Sequence, residues 1–126
     1  MMGDTIKILY IEDDQDIRTI TQIALDNENF ELLMYESGKL ALLEAQSLKP
    51  DLFLFDVMMP DLDGPSTLKK LRHYPHLINI PVIFMTAKIQ PSELNEYLEM
   101  GAIGVISKPF DPMSLADEII ALYNSQ

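Results

Sequence analysis

Apolar residues in this chain gather into five short runs: Ile6 to Ile11, Glu31 to Tyr35, Asp51 to Phe55, Pro81 to Met85 and Ile103 to Ser107. Each has the length of a β-strand. Ile8-Leu9-Tyr10-Ile11, Leu52-Phe53-Leu54-Phe55 and Val82-Ile83-Phe84-Met85 are apolar at every position. A strand with one wet face would alternate, so unbroken runs predict strands of a parallel sheet covered on both sides.

The stretches between the runs read as helices. Ile17, Ile20 and Ala24 share a face in the first, with Asp14 placed to cap it. Leu40 and Leu43 mark the second, opened by Ser37. The third follows Asp63-Gly64-Pro65 and carries Leu68 and Leu71. The fourth begins near Pro91-Ser92, carries Leu94 and Leu98, and stops at Gly101. The last opens at Asp111-Pro112 and repeats Leu115, Ile119 and Leu122. Strand and helix thus alternate along the chain, which predicts a single α/β domain with helices on both faces of the sheet.

Polar residues fall at telling places in this alternation. Glu12 and Asp13 follow the first strand, Asp56 the third, Thr86 the fourth and Lys108 the fifth. Open parallel sheets bind ligands at the carboxyl ends of their strands, so these side chains are expected to meet at one edge. Three carboxylates in one place repel each other. A hard divalent cation relieves that repulsion, and Mg2+ takes one or two carboxylates while keeping positions for water and phosphate oxygens. A carboxylate beside such an ion and a lysine is equipped to accept a phosphoryl group, and a threonine hydroxyl to donate to it.

Each residue also has an ordinary explanation. An aspartate after a strand commonly forms a turn or cap. Asp56 is preceded by four apolar or aromatic residues and followed by Val57-Met58-Met59, which offers it little as a cap. Asp14 and Asp16 suit a helix start electrostatically, leaving Glu12 and Asp13 for the metal. Asp61-Leu62-Asp63-Gly64 fails as a calcium loop, because Met59 takes the first ligand position and Lys70 the closing one. His73 and His76 have no metal-ligand spacing around them and read as solvated; the methionines read as core and loop fillers.

Composition narrows the classes. The 126 residues suit one domain, and 48% hydrophobic content supports a core. Cysteine is absent, so neither disulfides nor thiolate chemistry are expected. There is no apolar run long enough for a membrane span, and the first residues lack a signal-peptide layout. A cytoplasmic setting fits. The net charge of −11 argues against direct binding of nucleic acid.

Four motifs carry a resemblance to a known family: Ile8-Leu9-Tyr10-Ile11-Glu12-Asp13-Asp14, Asp51 to Met59 with Pro60 and Gly64, Met85-Thr86-Ala87, and Lys108-Pro109-Phe110. Together they resemble the receiver domains of two-component response regulators, over a core of about residues 6–122 within one domain spanning 1–126. The resemblance implies a doubly wound, flavodoxin-like fold with strand order 2-1-3-4-5 and five helices. It implies Asp56 as phosphoacceptor, Asp13 as direct ligand of Mg2+ (or Mn2+), Glu12 acting through water, and the Met58 backbone carbonyl completing the metal site. Thr86 matches the switch hydroxyl, Lys108 the phosphoryl-contacting lysine, and Pro109 the proline that often follows a cis bond. The implied function is a phosphorylation-dependent signalling switch. Its phosphodonor would be a histidine kinase or phosphotransfer protein, and it would act on a downstream protein or output domain. It would catalyse only its own phosphoryl transfer and autodephosphorylation, as a monomer or phosphorylation-dependent dimer. Departures are Glu12 where aspartate is common, Val105 where relatives carry an aromatic ring, and Met58 and Lys88 at positions that tune dephosphorylation. The rival reading, a metal-dependent phosphohydrolase with Asp56 as nucleophile, needs an acid at position 58, where this chain has Met58.

Overall fold

The structure is a computed structural model that describes residues 5–87 and 89–126; Met1 to Asp4 and Lys88 lie outside the described residues. Five strands, β1 (Ile6–Ile11), β2 (Phe30–Tyr35), β3 (Leu52–Asp56), β4 (Val82–Thr86) and β5 (Ala102–Ser107), form one parallel sheet in the order β2-β1-β3-β4-β5. The helices are α1 (Gln15–Ala24), α2 (Gly38–Leu43), α3 (Gly64–Leu71), α4 (Pro91–Glu99) and α5 (Leu115–Asn124). The fold class and strand order are those expected. The unbroken apolar runs are explained by burial: all of β3 and β4, and Ile8 to Ile11 of β1, are shut away from solvent.

Period-two alternation divides these strands between two cores. Leu9, Ile11, Phe53, Phe55 and Phe84 face α2, α3 and α4, packing with Ala41, Leu68, Leu71 and Tyr97. Ile8, Tyr10, Leu54, Ile83 and Met85 face the other way, against Leu25, Leu115 and Ile119 near and on α1 and α5. Between β4 and β5 the register slips: Val82 pairs with Ala102 but Ile83 pairs with Gly104, so β5 carries one extra residue there.

The helices refine the expected pattern. Asp14, Ser37 and Asp63 cap α1, α2 and α3 through side-chain oxygens, as their positions suggest. Ile20 is 45% exposed, and the buried residue of α1 is Thr21, which receives a hydrogen bond from the Tyr10 hydroxyl at 2.9 Å. Leu40 and Leu43 point outward from α2, whose packed side is Gly38 and Ala41. A Cβ at Gly38 would strike the Thr67 side chain, so small residues are what let α2 approach α3. In α4 the buried residue is Tyr97, packed on Phe84, while Leu98 is exposed. Regular helix in α5 starts at Leu115 rather than at Asp111-Pro112, because Asp111 Oδ1 accepts from Met113 N and holds a turn first.

Candidate functional site

The strand order reverses at β1 and β3, and the edge beyond their carboxyl ends is where a ligand crevice opens. Asp56 is the last residue of β3 and Thr86 the last of β4. Glu12 follows β1 and is tied to the edge strand by its N–H, which donates to the Tyr35 carbonyl at 3.1 Å. Lys108 follows β5, and its backbone N–H donates to the Thr86 carbonyl at 2.9 Å. Side chains distant in sequence therefore converge through sheet register alone.

The central geometry is a shared ammonium. Lys108 Nζ donates to Asp56 Oδ1 at 2.9 Å and to Glu12 Oε1 at 3.1 Å. Glu12, Asp13 and Asp56 each bring a carboxylate oxygen into a group no more than 4.8 Å across. Glu12 and Asp56 are buried, at 0% and 2% exposure, whereas Asp13 is exposed. The second Glu12 oxygen, Oε2, accepts from Asp14 N at 3.2 Å.

Burial sets the electrostatics. It pushes Glu12 up from 4.5 to about 7, and the nearby Asp56 charge adds to the rise. Burial also raises Asp56, against the opposing hydrogen bond from Lys108. For Lys108 burial works downward, but the hydrogen bonds and charges of Asp56 and Glu12 outweigh it and hold the ammonium above its usual range. The pocket thus carries two buried carboxylates and one cation, with a third carboxylate at its mouth. Its donors are oxygens, with no histidine or cysteine among the clustered ligands, which suits a hard cation such as Mg2+.

The loop after β3 is shaped around this pocket. Gly64 N donates to the Val57 carbonyl at 3.0 Å, and a Cβ at Gly64 would run into the Asp56 carbonyl oxygen. Asp61 takes a left-handed conformation with φ 69°, which aspartate tolerates. Met58 projects from this loop and is 76% exposed. The Lys108–Pro109 peptide is cis. Thr86 is buried beside the pocket, and Val105 packs half-buried against the core under α2 to α4. His73 and His76 are exposed, although His76 Nε2 lies 3.0 Å from the Ala45 carbonyl.

Two contributors escaped the sequence reading. Arg18 Nη1 donates to the Glu12 carbonyl at 2.7 Å and pins the acidic turn from α1. The buried Tyr10–Thr21 hydrogen bond ties β1 to α1 close to the pocket. A helical arginine and a strand tyrosine carry no spacing signal for either role.

Comparison with known proteins agrees with this geometry. The family model described as "Response regulator receiver domain" matches residues 8–120, and the chain belongs to that family. The transcriptional regulatory protein CseB of Streptomyces coelicolor is 35% identical, over 96% of this chain and 50% of its own length. The alkaline phosphatase synthesis transcriptional regulatory protein PhoP of Bacillus subtilis is 34% identical, over 92% of this chain and 48% of its own. The chain thus spans about half the length of the curated relatives it matches. The solved structure of chemotaxis protein CheY4 from Vibrio cholerae superposes with a TM-score of 0.85 at 27% identity, covering 94% of this chain and 99% of that one. The domain is a receiver module of the two-component type, a phosphorylation-dependent signalling switch, and its relatives are signalling proteins. Nothing among them supports the phosphohydrolase alternative. Among the described residues no helix is long and apolar enough to cross a membrane.

Proposed function

We propose that Asp56 is the phosphoacceptor, and the observation that carries this is the single Lys108 ammonium bound to both Asp56 and Glu12 at a sheet edge lined with carboxylates. An Asp56 oxygen attacks the phosphorus of a phosphohistidine on a histidine kinase or phosphotransfer protein. A P–O bond forms, the P–N bond breaks, and the imidazole leaves with the electron pair and takes up a proton. Lys108 moves from a carboxylate to a phosphoryl oxygen, for which its charge is already in place. Glu12, Asp13, Asp56 and the Met58 carbonyl would hold Mg2+ (or Mn2+), which when bound neutralises phosphoryl oxygens. Thr86 donates its hydroxyl to the new group.

The reading extends to partners. Beside Lys108 lies an apolar groove of about 360 Å³ lined by Ile17, Ile20, Ala87, Phe110 and Pro112. A protein donor must bring its phosphorus to Asp56, so its surface covers this rim and buries these side chains. The product adds about −1.5 to −2 charges, which draws Thr86 and the loop after β4 inward. The face of α4, β5 and α5 then changes its affinity for a downstream protein or output domain. Val105 supplies no ring to move with Thr86.

The test is incubation with Mg2+ and acetyl phosphate, followed by intact mass measurement. One added phosphoryl group, missing in Asp56→Asn, is the expected result. A full adduct on Asp56→Asn, or continuous phosphate-ester hydrolysis with no retained adduct, overturns the assignment.

A further inference from the structure

The carboxylates of the acidic turn are held unequally. Glu12 is fixed by its own side chain, Oε1 accepting from Lys108 Nζ and Oε2 from Asp14 N. Asp13 is exposed, and among the described residues its carboxylate makes no hydrogen bond or ion pair. One of its oxygens nevertheless stands within 4.8 Å of an oxygen on Glu12 and on Asp56. A carboxylate on an untethered turn would lose backbone as well as rotamer freedom on taking up a cation. Something other than the Asp13 side chain must therefore aim it.

The backbone does so. The Glu12 carbonyl and Asp13 N share one rigid peptide plane, and the Asp13 carbonyl and Asp14 N share the next. The first plane is held through the Glu12 carbonyl, which accepts from Arg18 Nη1 at 2.7 Å. The second is held through Asp14 N, which donates to Glu12 Oε2 at 3.2 Å. With the planes on both sides of Asp13 fixed, its Cα–Cβ bond is fixed as well. Arg18 reaches the turn from α1, and its own N–H donates to the Asp14 carbonyl at 3.0 Å, so helix and turn are joined twice. The half-buried Arg18 borders an open groove of about 330 Å³, with Met34, Tyr35, Glu36 and Leu40. A Glu12 carbonyl deprived of the guanidinium would find water there, so the bond matters for orientation more than for folding.

We propose that Arg18 is a positioning residue for the metal site: by holding the Glu12 carbonyl it aims Asp13, and so raises the affinity for Mg2+. The proposal rests on the reading of Glu12, Asp13 and Asp56 as the Mg2+ centre. Its sign separates it from a charge effect. A guanidinium near a divalent cation repels it, so a residue acting through charge alone would weaken Mg2+ binding, and its removal would tighten it. Positioning requires the reverse, because removal lets the Asp13 carboxylate wander.

Calorimetric titration of the whole unphosphorylated chain with Mg2+ at about pH 8, where the carboxylates are free of protons, reads this directly. Arg18→Met, which keeps an apolar stem, is expected to weaken Mg2+ binding about 10-fold, and the equally neutral Arg18→Gln to do the same. Arg18→Lys, which keeps a cationic donor, recovers most of the loss. In phosphoryl uptake from acetyl phosphate, the neutral variants should need about 10-fold more Mg2+ for half the maximal rate, while the rate at saturating Mg2+ stays that of wild type. Cooperative melts without Mg2+ certify that each variant is folded. Neutral variants that bind Mg2+ as tightly as wild type or more tightly, an Arg18→Lys no better than Arg18→Met, or a saturated rate that falls with the affinity overturns the proposal. A wild type that binds no Mg2+ overturns the reading of the metal centre itself, and the proposal with it.

Discussion

At the scale of single residues, the pocket depends on one cation neutralising two buried anions. Removing the Lys108 charge leaves Glu12 and Asp56 facing each other at the sheet edge. Lys108→Met is therefore expected to keep the fold and a binding site for Mg2+, while slowing phosphoryl uptake about 10²–10³-fold, the usual cost of losing one preorganised donor. Rates of adduct formation from acetyl phosphate at saturating Mg2+ measure it; an unchanged rate would mean the lysine serves only charge balance. Gly64 holds Asp56 from behind. A methyl group there collides with the Asp56 carbonyl, so Gly64→Ala should cost about 1–3 kcal/mol in urea unfolding and misplace the acceptor as well. Neither glycine nor lysine betrays these contacts by type alone; position after an apolar strand made Lys108 visible, whereas the close approach behind Gly64 emerges only from the packing.

At the scale of elements, the local chemistry explains what was legible. Asp14, Ser37 and Asp63 each supply a cap oxygen, and the helices begin where those residues say. Unbroken apolar runs gave strand positions to within a residue because both faces of the sheet are covered. The pattern failed where packing uses small or polar residues. Gly38 and Ala41 bury α2 by allowing close approach to Thr67, and Thr21 is inside α1 because Tyr10 donates to it; a search for leucine stripes finds neither. The cap on α1 also touches function. Asp14 Oδ1 accepts from Asp16 N at 2.9 Å and Ile17 N at 3.1 Å, while Asp14 N donates to Glu12. Asp14→Ala is expected to lower stability by about 1 kcal/mol and to weaken Mg2+ binding through the displaced Glu12 turn. Asp14→Asn or Ser, which keep a cap oxygen, should restore stability; thermal melts with and without Mg2+ separate the two effects.

For the whole molecule, the convergence of acidic side chains makes protons and Mg2+ rivals. Glu12 is raised by burial to about 7 in the folded protein from an ordinary 4.5, and Asp56 is raised in the same sense. Between those values the folded state holds a proton that the unfolded chain has released. Stability of the metal-free protein is therefore greatest below the unfolded value and falls as pH rises through the folded one. This is opposite to a carboxylate held in a favourable salt bridge. Mg2+ binds the deprotonated cluster of the folded protein, so its stabilisation should be small near pH 5.5 and grow towards pH 8. Melting temperatures measured with EDTA and with millimolar Mg2+ across that range give both slopes. The general self-repulsion of a chain with net charge −11 contributes a slope of the same sign, so the decisive comparison is Glu12→Gln. That variant keeps the shape but has no proton to lose, and it should flatten the metal-free slope relative to wild type. Equal slopes in both proteins would place the pH dependence outside the pocket, and stability rising across the window would contradict the burial of Glu12 as its cause.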